Sequence, residues 1–340
     1  MKTENKKTYI LNLLAIVALY IIMKVLMSQG ILNRYFVGII IFIGVNIVLA
    51  TSLNIATGFL GQLALGHAGF MAVGAYTSAL TAEALTSEAL ISQGIILPNL
   101  VVLIISMTLG GILAVLMSLV IGIPSLRLRG DYLGIITLGF GEVIRVVINN
   151  LDFTGKAQGM SGVPILTNFD NIFWIVVVIV FILYTFTNSR HGRAIISIRE
   201  DEIAAEASGI PTTFYKVLGF STAAFFGGIG GGLYAHYISF LDPNTFGFMR
   251  SVEILVIVVL GGMGSLTGSI IAAIVLTILP EALRDFAEYR LLIYSGLLVV
   301  MMVFRPQGLF GTAEFSLKQF LHKLRYNPIL SPRKEVKDGD

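Results

Sequence analysis

The sequence predicts an all-α polytopic membrane protein, and three observations lead there. Hydrophobic residues make up 56% of the 340-residue chain. Asp, Glu, Lys and Arg make up only 13%, about half of the roughly 25% usual in soluble domains, too little to cover a globule of this size. The charges are also bunched: 23 of the 43 lie within residues 1–7, 190–216 and 305–340. With a mean hydropathy of +0.86, this excludes a disordered chain, and the absence of cysteine excludes a disulfide scaffold, a thiolate metal site and a cysteine nucleophile. The four histidines are scattered rather than clustered, and the basic residues behind the pI near 9.0 sit at the ends of apolar segments, so no nucleic-acid surface is expected.

A helix needs about 20 mostly apolar residues to cross a bilayer. Ten such segments follow one another, at 8–27, 36–55, 63–83, 98–123, 132–149, 171–188, 215–238, 251–263, 266–280 and 290–304, and eight to eleven fit the pattern. The first follows a Lys-rich start but is too long for a signal-peptide core and lacks a small-x-small cleavage site, so a retained helix is expected. The segments 251–263 and 266–280 are short, and Gly261-Gly262-Met263-Gly264 between them predicts a broken or re-entrant element. With a cytoplasmic N-terminus, 16 basic residues fall on cytoplasmic segments against 5 on outer loops, the bias that the positive-inside rule asks for. Both termini and the 189–214 loop then face the cytoplasm.

The run from Leu53 to Tyr76 carries glycines at 58, 61, 66, 69 and 74, which permit either a backbone break or close helix approach. Asn54, Gln62 and His67 lie among them and are costly in lipid, so they are expected to face a cavity or another helix, and the whole run is a candidate for the lining of a pathway. Small-residue packing alone is the simpler account of the glycines. A weaker echo stands at Gly261 to Gly268. No GxxxxGK[ST] occurs, so energy from nucleotide must come from a partner.

In the longest cytoplasmic loop, Ser197 stands three residues before Glu200, a capping-box spacing. Gly209 followed by Pro211 is a stop signal. A two-turn helix from Glu200 to Ala207 is expected, with Ile203 and Ala207 as a small apolar ridge rimmed by carboxylates, suited to docking on another protein. Glu142 and Arg145, one turn apart within a span, most simply neutralise each other. A proton role for Glu142 or Glu253 is the sharper alternative, and His67 and His236 read as packing groups.

Leu53 to Tyr76 closely resembles the L-N-x-x-x-G-x-x-G-x-x-x-L-G-H-A-x-F-x-x-x-G-A-Y signature of the LivM-type permeases of branched-chain amino acid ABC importers. Pro124 to Tyr132, Gly192-Arg193 with Arg199 to Ala205, Leu260 to Ser265 and Arg305 to Gly311 are similar to the same family, so that five motifs in order cover about residues 36–311. The resemblance implies the ABC importer permease fold, with residues 1–311 as transmembrane permease domain and 312–340 as a basic cytoplasmic tail. It implies two cytoplasmic ATPase subunits that bind ATP and Mg, a second homologous permease subunit, an external solute-binding protein and the bacterial inner membrane; no cofactor is expected in this chain itself, and no enzymatic activity. Arg193, Arg199, Glu200, Asp201, Glu202, Ile203, Ala204, Ala205, Glu206 and Gly209 then form the ATPase-coupling element, and Asn54, Gly58, Gly61, Gln62, Gly66 and His67 line the pathway. A urea or short-amide permease shares this fold, and an ATP-independent secondary transporter is the alternative of a different class.

Overall fold

The computed structural model of the chain describes residues 2–87, 97–125 and 131–284, with isolated positions between 289 and 311. The chain divides into two units, one of residues 1–33 and 314–340, the other of residues 34–313. In the first, α1 (Lys2–Ser28) is an unbroken helix, and Asn12–Ser28 within it is apolar. Residues 312–340, expected as a basic tail, lie outside the described residues, as does most of the 290–304 segment.

The second unit is built from helices. α2 (Arg34–Asn54) ends in a π-helical turn at Ile55–Phe59, and α3 (His67–Leu85) follows an irregular run. Then come α4 (Asn99–Ser125), α5 (Asp131–Asn150) and α6 (Phe169–Thr187). Two short helices, α7 (Arg190–Glu200) and α8 (Glu202–Ala207), precede the long α9 (Thr212–Ile238), and α10 (Phe248–Gly261) and α11 (Leu266–Ala282) complete the described set. Two-residue strands β1 (Met160–Ser161) and β2 (Phe240–Leu241) pair antiparallel between the α5–α6 and α9–α10 connections.

α9 is the central helix and packs most extensively on α3 and α4. Its glycines make this possible: a Cβ on Gly74 of α3 would fall on the backbone of Gly228, so these two helices touch backbone to backbone. α4, α5 and α6 instead turn apolar side chains outward, among them Ile112, Leu116, Ile135, Val147, Val178 and Phe181. Such stripes suit hydrocarbon rather than water.

Five helical stretches are long and apolar enough to cross a membrane: Arg34–Phe59, Asn99–Gly122, Tyr132–Asn150, Phe169–Thr187 and Thr212–Ile238. This is a multi-pass helical membrane protein, but the described helices do not reach a count of ten spans. The span expected at 63–83 begins only at His67, because residues 60–66 form a turn, and α10, expected at 251–263, has 14 residues. α11 has 17, and Pro280 lies in its last turn.

Candidate coupling and translocation site

α2 loses its regular ladder where glycine enters. Leu60 N–H reaches Ile55 O, the five-residue spacing of a π turn, and Gln62 N–H reaches Ala56 O, wider still. Gly61 then adopts φ +76°, which an L side chain rarely tolerates, and the chain turns toward α3. The break expected at Gly261 to Gly264 is also present, with Gly262 and Gly264 at positive φ between α10 and α11.

The structure brings the two breaks together. Asn54, fully buried, accepts a hydrogen bond from Gly264 N–H at 2.9 Å and donates to Ser265 O at 2.9 Å and Ser269 Oγ at 2.8 Å. A side chain at Gly58 would fall on Gly264 N and Asn54 Oδ1, so only glycine permits this contact. The C-terminal motif joins the same junction, where Leu309 N–H donates to Leu260 O at 2.8 Å.

Of the other predicted pathway residues, Gly66 packs its backbone on the Thr137 carbonyl of α5. His67 is buried, with Nε2 3.0 Å from Ser52 Oγ and its ring against Gly227 of α9. Gln62 is half-buried; among the described residues its Oε1 and the neighbouring Thr57 Oγ1 are buried without a hydrogen-bond partner. Unsatisfied polar atoms at a chain break are uncommon in a packed interior.

The loop between α6 and α9 differs in one respect from its sequence reading. Ser197 does not cap a helix; it lies within α7, where its hydroxyl donates to Ala194 O. α7 buries Gly192, Ile195 and Ile198, and this apolar face carries the helix through Ser197 to Glu200. The cap of α8 is Asp201, whose Oδ1 accepts from Ile203 N–H at 2.9 Å and Ala204 N–H at 3.0 Å. Glu200 therefore belongs to α7, where it pairs with Arg199, and α8 begins at Glu202 rather than at Glu200. The expected stop holds: Gly209, at φ +82°, donates to Glu206 O, and Ile210 N–H reaches Ala205 O.

α8 turns Ala205 inward and leaves Ile203, Ala204, Glu206 and Ala207 exposed, Ile203 to 71%. A cavity of about 320 Å³ opens beside its C-terminus, lined by Glu206, Gly209, Ile210, Pro211, Thr212 and Thr213. One ion pair ties α8 to α9, and a second basic side chain ties the end of α7 to the α2–α3 break. Lys216 of α9, only 7% exposed, reaches Glu202 Oε2 at 2.7 Å. Arg199 donates from Nη1 to Gly58 O at 2.8 Å while its other nitrogens hold Glu200. Arg193, exposed, donates to Asn188 O and fixes the α6–α7 corner.

Neither link was legible in the sequence, since Gly58 and Arg199 stand 141 residues apart and no spacing connects Glu202 with Lys216. The intramembrane acids have local partners: Glu142 lies 2.7 Å from Arg145 Nε, and Glu253 lies 2.9 Å from Arg250 Nη1.

Residues 35–305 match the family described as branched-chain amino acid transport system / permease component. The chain is 36% identical over 307 residues to the high-affinity branched-chain amino acid transport system permease protein LivM of Salmonella typhimurium, covering 80% of this chain and 69% of that protein. It is 25% identical over 235 residues to a probable LivM of Methanocaldococcus jannaschii, covering 61% and 68%. It is also 28% identical over 173 residues to the Salmonella typhimurium permease LivH, covering 49% and 55%. No solved structure matches the chain. The order of the motifs, the two joined chain breaks and these likenesses converge: the chain belongs to the family of branched-chain amino acid transport system permease components.

Proposed function

We propose that the chain is the permease subunit of an ATP-binding-cassette importer that carries Leu, Ile and Val across the bacterial inner membrane. The observation that carries this reading, beside the family, is α8: a capped two-turn helix, anchored to the bundle through Glu202 and presenting Ile203, Ala204 and Ala207 outward. Such a ridge suits a groove on a cytoplasmic ATPase, a helix-in-groove contact. The chain contains no P-loop, so ATP and Mg belong to two partner ATPases, and the subunit serves transport rather than catalysis.

Further partners follow from the same reading. A second, homologous permease completes the membrane unit, in keeping with the likeness to both LivM and LivH proteins, and an external binding protein delivers the amino acid. About ten spans with both termini cytoplasmic agree with the 16 to 5 split of basic residues. The pathway runs along the broken segment from Asn54 to His67, where the unpartnered Thr57 and Gln62 oxygens offer hydrogen bonds to a passing ammonium or carboxyl group or to its water. In that arrangement Gly58, Gly61 and Gly66 let the backbone approach its neighbours, and ATPase closure would move α8 and rock the attached helices.

The test is ATP-dependent leucine uptake by the full complex with Ile203→Glu or Ala204→Glu. Either change is expected to reduce uptake by more than about tenfold and to release the ATPases during affinity purification. Normal uptake with normal ATPase retention would remove the coupling assignment.

A further inference from the structure

We infer that Arg199 is the positioning residue that carries displacement of α8 to both chain breaks at once, so that the two halves of the junction move as one body with the coupling helix. The inference rests on the reading of α8 as the ATPase-docking element, and it concerns what happens beyond the docking contact.

Arg199 stands in the last turn of α7, two residues before Asp201, the single extended residue that ends α7 and caps α8, so a shift of α8 reaches it across one residue. Its guanidinium is only partly exposed and reaches into the junction of the two breaks. There it meets an acceptor that the π turn has set free: Gln62 N–H bonds Ala56 O, and Gly58 O receives Arg199 Nη1. The carbonyls at an interrupted helix end need such a donor, and a charged one binds more strongly than a neutral one.

The path to that carbonyl lies between two glycines of positive φ. A Cβ on Gly61 would stand 2.7 Å from Arg199 Cγ, and one on Gly264 would stand 2.7 Å from Nη1. The first glycine belongs to the α2–α3 break and the second to the α10–α11 break. Arg199 is thus wedged between both, while Asn54 locks Gly264 to the end of α2. The planar guanidinium can hold Gly58 O on one edge and Glu200 on the other, a geometry that a lysine ammonium does not reproduce. Chain breaks are where helices bend under a small force, so a side chain seated in both is placed to convert a shift of α8 into a change along the pathway.

The experiment uses the complete complex in proteoliposomes, with Arg199→Gln and Arg199→Lys compared with the wild type and with Ile203→Glu as a docking control. Arg199→Gln is expected to retain the ATPases on purification while leucine transported per ATP hydrolysed falls by about tenfold, within the usual range of intersite coupling. Arg199→Lys is expected to fall between the two. An unchanged ratio in Arg199→Gln overturns the inference, and so does loss of the ATPases equal to that of Ile203→Glu, which would place Arg199 in the docking surface. Retention of the ATPases by Ile203→Glu would instead remove the docking reading itself.

A second measurement does not depend on the folding of an Arg199 variant. The chain has no cysteine, so Ser208→Cys with Met263→Cys, and Ser208→Cys with Thr86→Cys, place spin labels at those pairs with no native thiol of this chain to remove. Between resting and nucleotide-trapped complexes the Ser208–Met263 distance is expected to stay fixed while Ser208–Thr86 changes. A Ser208–Met263 change as large as the Ser208–Thr86 change overturns the inference.

Discussion

Lys216 Nζ lies 2.7 Å from Glu202 Oε2, and the lysine side chain is almost wholly buried where α9 begins. The pair fastens the first residue of α8 to the central helix of the bundle. Lys216 is buried and Glu202 partly exposed, so removing Glu202 strands the lysine charge at a cost of about 1–3 kcal/mol. Glu202→Gln is therefore expected to loosen the 201–209 segment, seen as a loss of amide-exchange protection there. Replacing both residues, Glu202→Leu with Lys216→Met, is expected to recover most of that protection, because no charge is then left stranded.

The contact between Gly74 and Gly228 predicts a contrast between two glycine-to-alanine changes. Gly74→Ala places a methyl group on the backbone of α9 and must separate α3 from α9, at about 1–3 kcal/mol. Gly139→Ala in α5 meets nothing within 4 Å, and the higher helix propensity of alanine is expected to add up to about 1 kcal/mol. Thermal aggregation of the detergent-solubilised complex should shift down for the first and stay or rise for the second.

Glu142 has its oxygens occupied: Oε2 pairs with Arg145, and Oε1 accepts from Phe248 N–H at 2.9 Å, while Arg145 also reaches Asn244 Oδ1 at 3.0 Å. These contacts tie α5 to the start of α10. Glu142→Gln keeps an acceptor for Phe248, so uptake is expected to remain within about threefold of wild type, with an unaltered profile between about pH 6 and pH 8. A displaced pH profile would restore the proton role.

The sequence was most legible where one physical requirement dominated. α4 and α6 carry exposed apolar outer faces, so their apolar runs marked both ends to within a few residues. Gly209 and Pro211 ended α8 as expected, because the left-handed turn there is local chemistry. The start of α8 was not legible: the sequence pointed to Ser197 as the cap, and the structure uses Asp201. Burial of Ile195 and Ile198 decided between them, and that is a tertiary matter. The glycines at 58 and 61 announced a break or a close approach without distinguishing the two, and the structure has both. The Asn54 contact with Gly264 joins residues 210 apart and leaves no trace in any window of sequence.

The short β1–β2 pair has a consequence for how such a subunit moves. α9 runs from the α8 end to β2 over 27 residues, about 40 Å of helix, so the pair sits far from α8. There Leu166 and Thr167 N–H groups both donate to His236 O, and the His236 ring holds Pro164 O at 2.9 Å. The remote end of α9 is stitched by these main-chain bonds together with side-chain bonds from His236, Ser239 and Thr167. Under the proposed coupling, a push on α8 acts at the end of α9 opposite this anchored one, beside the Lys216–Glu202 pair.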